Sequence, residues 1–164
     1  MSAPPGVPSD AQIKHLEFIQ NTVARLAGNS FLAKGWALTI SAALYGVSAS
    51  RLSPWIALAA IGPTLGFWWL DSYFLQQERL FRCLYNDVRK PDSSVELFSM
   101  DTSPYRGDVH VVWRRVFFSS TLRVFYGALV VAGMVLVIVG SIYDAKSESS
   151  PRTKAATSSI LSSD

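Results

Sequence analysis

The chain has 164 residues, 49% of them apolar, with five Trp and nine Phe, and its 15 basic and 12 acidic side chains leave a net charge of +3. That length allows one domain or less, and the apolar and aromatic share is high for a globular domain in water. The basic residues sit beside apolar runs, which argues against nucleic acid as a partner, and the single cysteine, Cys83, rules out a disulfide framework within the chain.

Met1 to Pro8 contains Pro and Gly, and residues 1–9 are expected to form a disordered tip. They carry neither a basic n-region nor an apolar h-region, so no cleavable signal is expected. Ser9 with Gln12 makes a capping-box pattern, which predicts a helix over residues 10–27. Ile13, Leu16, Ile19, Val23 and Leu26 recur at steps of three and four and share one face, opposite Lys14, Glu17, Gln20 and Arg25. Such an amphipathic helix suits a membrane surface, a partner helix or the chain's own core. Gly28-Asn29-Ser30 is expected to break it.

FLAKGWALTISAALYGVSAS and IALAAIGPTLGFWWLDSYFL follow, separated by RLSPW. Two apolar runs of roughly twenty residues fit a hairpin crossing ~30 Å of hydrocarbon twice, with spans at 31–48 and 54–75. Lys34 and Asp71 fall at similar depth in that hairpin, level with Trp36, Trp68, Trp69 and Tyr73. An intramembrane ion pair between Lys34 and Asp71 is one reading. The other has Lys34 snorkelling to headgroups and Asp71 facing water. Ala42 with Gly46, and Gly62 with Gly66, have the four-residue spacing of close helix packing, and Pro63 between the latter is expected to kink its helix.

The helical pattern runs on to Pro91, so the second span is expected to continue into the cytoplasm. Leu80, Phe81, Leu84 and Val88 form a stripe expected to face a partner. Residues 76–121 make up the cytoplasmic segment. Within it, 91–107 is the main loop, with Val95, Leu97 and Phe98 as a short extended piece. Val109, Val112, Trp113, Val116 and Phe117 fit an interfacial helix opposite His110, Arg114 and Arg115. The most apolar run predicts a third span at 122–143, with Gly133 and Gly140 on a small-residue face. Residues 144–164 are rich in Ser, Thr, Ala and Lys and are expected to be disordered. The helical membrane domain is thus 10–143. Lys and Arg crowd the segment between the second and third spans, while the hairpin turn holds only Arg51. That bias places the amino terminus in the cytoplasm of a multi-pass protein.

No catalytic constellation is visible. His15, His110 and Cys83 fall in three separate elements without metal-ligand spacing, and no phosphate loop, GxSxG or HExxH occurs. Asp71 and Glu78 share a helix face, most simply a solvated one. A non-enzymatic protein without catalytic residues, metal or cofactor is expected.

The layout of amphipathic helix, two-span hairpin and cytoplasmic helix, with LDSYFLQQERLFRCLYNDVR followed by FSMDTSPY, resembles the SLATT-like two-transmembrane effectors of bacterial antiviral conflict systems. The third span departs from that plan. The resemblance implies an oligomeric effector or pore in the bacterial inner membrane, with the lipid bilayer and copies of itself as partners. The alternative is a membrane anchor or adaptor recruiting a soluble cytoplasmic protein. A transporter needs a midplane polar site, and only Pro63 with its glycines hints at one.

Overall fold

Helix formation dominates the chain. A computed structural model describes residues 9–51 and 53–161, with side chains described as far as Lys146. Its helices are α1 (Asp10–Arg51), α2 (Pro54–Val88), α3 (Trp113–Phe117) and α4 (Ser120–Leu161), with a 3-10 turn at Ser103–Tyr105. The all-α class expected from the periodicity holds. The expected tip at 1–9 lies almost wholly outside the described residues.

The amide of Gln12 donates to Ser9 Oγ at 3.2 Å, so the amino-terminal cap of α1 forms. The Gln12 side chain does not close the capping box; it donates to the carbonyl of Val88 at 2.8 Å. The helix then passes through Gly28-Asn29-Ser30 without the expected break. A helical Gly costs about 1 kcal/mol relative to Ala, and a tertiary contact outweighs it here. Instead of capping a new helix, Ser30 donates its hydroxyl to Asp71 and accepts a bond from Lys34 at 2.8 Å.

The chain forms two compact units. The first comprises the described part of Met1–Trp36 together with Phe67–Val124. Its core is Ile19, Leu84 and Val88, packed by Leu16, Val23, Phe81, Tyr85, Val95 and Tyr105. Full burial of each such aliphatic side chain is worth roughly 1.5–3 kcal/mol. Trp68 stacks on Phe117 at 4.8 Å between centroids and 4° between planes, and its indole N–H donates to the Phe117 carbonyl at 3.1 Å. The expected interfacial helix shrinks to the five residues of α3. Val109 and Val112 are exposed, and Val111 is the buried member of that run. Residues 95–98 form no strand; Phe98 instead adopts a left-handed φ of 64°.

The second unit comprises Ala37–Gly66 together with the described part of Phe125–Asp164. Ser41 and Thr64 share a buried hydrogen bond of 2.8 Å, and Thr64 also donates to the Ala60 carbonyl at 2.9 Å. Tyr45 donates to the carbonyl of Leu129 at 3.0 Å, with its ring running over Gly133. The helix α2 continues through Pro63. The helix α4 continues to Leu161, so the backbone of most of the Ser- and Thr-rich tail is helical, where composition predicts coil.

The three expected spans reduce to one. Among the described residues a single helix, Ser120–Lys146, is long and apolar enough to cross a membrane. The runs at 31–48 and 54–75 are diluted by Lys34, Asp71 and many Gly, Ser, Thr, Trp and Tyr residues. Several of those polar groups bond to one another inside the units: Ser30 and Lys34 with Asp71, and Ser41 with Thr64. The multi-pass inner-membrane topology, its cytoplasmic amino terminus and the hairpin underlying the resemblance are therefore corrected. So are the readings built on them: effector or pore, membrane anchor, bilayer partner and homo-oligomer.

Candidate functional site

His15, Phe18 and Thr22 stand three and four residues apart on α1, so the helix presents them on one face. The loop between α2 and α3 returns to that face and is tied down along its length. Gln12 holds the carbonyl of Val88, the last residue of α2 before the loop, and Tyr105 in the loop donates to Asp87 at 2.8 Å. Gln76 and Arg79 hold the carbonyls of Val111 and His110 at 3.0 and 2.9 Å. In the middle of the loop, the Ser99 carbonyl lies 2.8 Å from His15 Nε2.

That bond fixes the histidine's chemistry. A carbonyl oxygen only accepts, so Nε2 carries the proton and Nδ1 of the neutral ring is a bare lone pair. His15 is 1% exposed, and Nδ1 has no hydrogen-bond partner among the described residues. A buried polar atom left unpaired costs roughly 1–3 kcal/mol, and such atoms in a folded protein call for an explanation. The ring of Phe98 packs beside the imidazole, tilted by 37° with centroids 5.9 Å apart, and Phe18 meets Phe98 edge-on at 6.3 Å. Phe98 holds a left-handed backbone that costs a non-glycine residue of order 1–3 kcal/mol. His15, Phe18, Thr22, Phe98 and Met100 line an open cavity of about 250 Å³. His15 also lines a second cavity of about 190 Å³ with Ser9, Gln12 and Lys90.

The residues singled out in the sequence fare differently. Lys34 and Asp71 are brought together at 2.7 Å, with the carboxylate fully buried. Glu78 does not join them; it pairs with Arg82 at 2.7 Å. Leu80, Leu84 and Val88 are buried and Phe81 packs against that core, so the stripe expected to face a partner is covered within the first unit. Ala42, Gly46, Gly62 and Gly66 are exposed, and a Cβ on any of these three glycines meets nothing within 4 Å. Gly133 does make a close approach: its Cβ would stand 2.6 Å from the Tyr45 hydroxyl. Gly140 is buried. Burial pushes the Cys83 thiol up, away from a nucleophile's range, with Asp108 adding to the effect. No cluster of three or more His, Cys, Asp or Glu placed to hold a metal occurs among the described residues.

His15 was legible in the sequence only as a scattered, structural histidine. The one signal for its role is the pairing of an aromatic i+3 neighbour on α1 with the aromatic and thioether run Phe98-Ser99-Met100. Nothing local shows that the two segments meet.

Comparison with protein-family models, characterised proteins and solved structures finds no match. The site therefore rests on its own chemistry.

Proposed function

We propose that the protein is a non-enzymatic helical binding module whose ligand site is the cavity over His15. The observation that carries this reading is that His15, a residue lining an aromatic-walled cavity, keeps a buried Nδ1 with no hydrogen-bond partner among the described residues. Binding sites combine apolar walls with a few placed polar groups, and here His15 and Thr22 line the cavity beside two Phe rings and a thioether. Further support comes from Phe98, whose strained backbone is held by a loop anchored at several points. Strain of that kind collects at ligand clamps. Catalysis finds less support, because the cavity wall holds no nucleophile beside a base and no acid–base pair.

A fragment screen on the full chain, followed by amide and imidazole chemical shifts, tests this. Binding fragments should move the signals of His15, Phe98, Ser99 and Met100 together. Shifts confined to other segments, with these four unchanged, contradict it.

A further inference from the structure

Resting on that reading, we propose that the cavity takes an uncharged aromatic molecule carrying one N–H or O–H donor, of the indole or phenol class. The cavity wall dictates each part of that description.

The donor follows from Nδ1. The Ser99 carbonyl keeps a proton on Nε2, so in the neutral ring Nδ1 can only accept. Thr22 reinforces this preference, because its hydroxyl hydrogen is already given to the Phe18 carbonyl at 3.1 Å and only lone pairs remain for a ligand. A carboxylate, phosphate or ketone would meet acceptors with acceptors. Neutrality follows from the lining: none of its five residues is an Asp, Glu, Lys or Arg that could pair with a charged group. A charged group would be desolvated there without compensation.

Aromaticity follows from the walls and the size. Phe18 and Phe98 already meet edge-on, the arrangement in which a third ring gains quadrupolar contact. Met100 adds a polarisable sulfur suited to a ring face or edge. A cavity of about 150 Å³ is enough for benzene, and this one measures about 250 Å³, room for one or two fused rings.

Entry is also specified. Nδ1 has no contact with solvent and the Phe98 ring packs against the imidazole, so movement of Phe98 opens a path to it. Phe98 is 52% exposed and Met100 38% exposed, so both can turn outward without opening the core of Ile19, Leu84 and Val88. Phe98 is the lid of the site.

The test compares indole with indene, the same bicycle with the N–H replaced by CH₂, by calorimetry on the full chain. Indole should bind about tenfold tighter, the factor expected for one hydrogen bond to a buried acceptor. Indole, unlike indene, should also shift the Nδ1 resonance of His15 in the unmodified protein. In His15→Phe the preference should vanish. Phe98→Ala should speed association of both compounds. Equal affinity for the two compounds overturns the donor requirement and leaves the cavity reading standing. Failure of both to bind also overturns the class, and the cavity reading falls with it only if no fragment of any chemistry moves the His15 signals.

Discussion

The ammonium of Lys34 and the carboxylate of Asp71 meet at 2.7 Å, yet the two ends differ: Asp71 is fully buried and Lys34 keeps 23% of its side-chain surface. The carboxylate is further held by the hydroxyl of Ser30. Removing the cation strands a buried charge, whereas removing the anion frees an ammonium that can reach water. Lys34→Met should therefore cost about 3 kcal/mol and Asp71→Asn roughly 1–2 kcal/mol. Denaturant unfolding of both single variants and the double variant measures the coupling. Strictly additive losses contradict a direct pair.

Gly133 and Gly62 make opposite predictions from similar sequence contexts. A Cβ on Gly133 would sit 2.6 Å from the Tyr45 hydroxyl and 3.0 Å from Tyr45 Cζ. Gly133→Ala should lose about 1–3 kcal/mol through overpacking, less when combined with Tyr45→Phe. A Cβ on Gly62 meets nothing within 4 Å inside α2, so Gly62→Ala should gain roughly 0.5–1 kcal/mol from helix propensity. Thermal unfolding of the two variants side by side decides it, and matching changes in sign sink the assignment.

Tyr105 links pH to the loop. Burial, then its hydrogen bond to Asp87, pushes the phenol up to about 12. A phenol that holds its proton more tightly folded than unfolded stabilises the fold fully below pH of about 10, the ordinary tyrosine value. That contribution fades as pH climbs from there toward 12. Asp87 runs the other way: hydrogen bonds from Lys90 and then Tyr105 hold its carboxyl below the usual range. Its share is present above that range and lost as pH falls through its lowered value. Phenolate absorbance should show a late component near 12 that disappears in Tyr105→Phe. If every tyrosine titrates together near 10, neither the burial of Tyr105 nor its bond to Asp87 holds.

Leu84 anchors the face of α2 that α1 covers, with 1% exposure. Leu84→Ala should cost about 2–5 kcal/mol. A loss under about 0.5 kcal/mol, the level of an ordinary surface position, would mean that the stripe faces outward.

The sequence reveals local features and hides the long-range ones. Ser9 announces the start of α1, and the steps of Leu16, Ile19 and Val23 announce the face that packs. The Leu84 and Val88 stripe is equally visible, but nothing in it says that α1, rather than another protein, covers it. The break expected at Gly28-Asn29-Ser30 fails because Ser30 is claimed by Asp71, a residue distant in sequence. Apolar runs alone also overstate the spans: length and apolar content suggest three, while Lys34, Asp71 and the Ser, Thr, Gly and aromatic content leave one helix apolar enough among the described residues. The site at His15 was hidden for the same reason as the α1–α2 core. Its two halves come from α1 and from a loop whose left-handed Phe98 carries no glycine to mark the turn.

The most direct measurement is a long-range ¹H–¹⁵N spectrum of the imidazoles near neutral pH, simple to assign because the chain has only two histidines. The account predicts that Nε2 of His15 carries a proton toward the Ser99 carbonyl, and that Nδ1 resonates as a bare lone pair until an aromatic donor is added. A proton on Nδ1 in the free protein, or an Nδ1 signal that no added ligand moves, would contradict a binding site at His15.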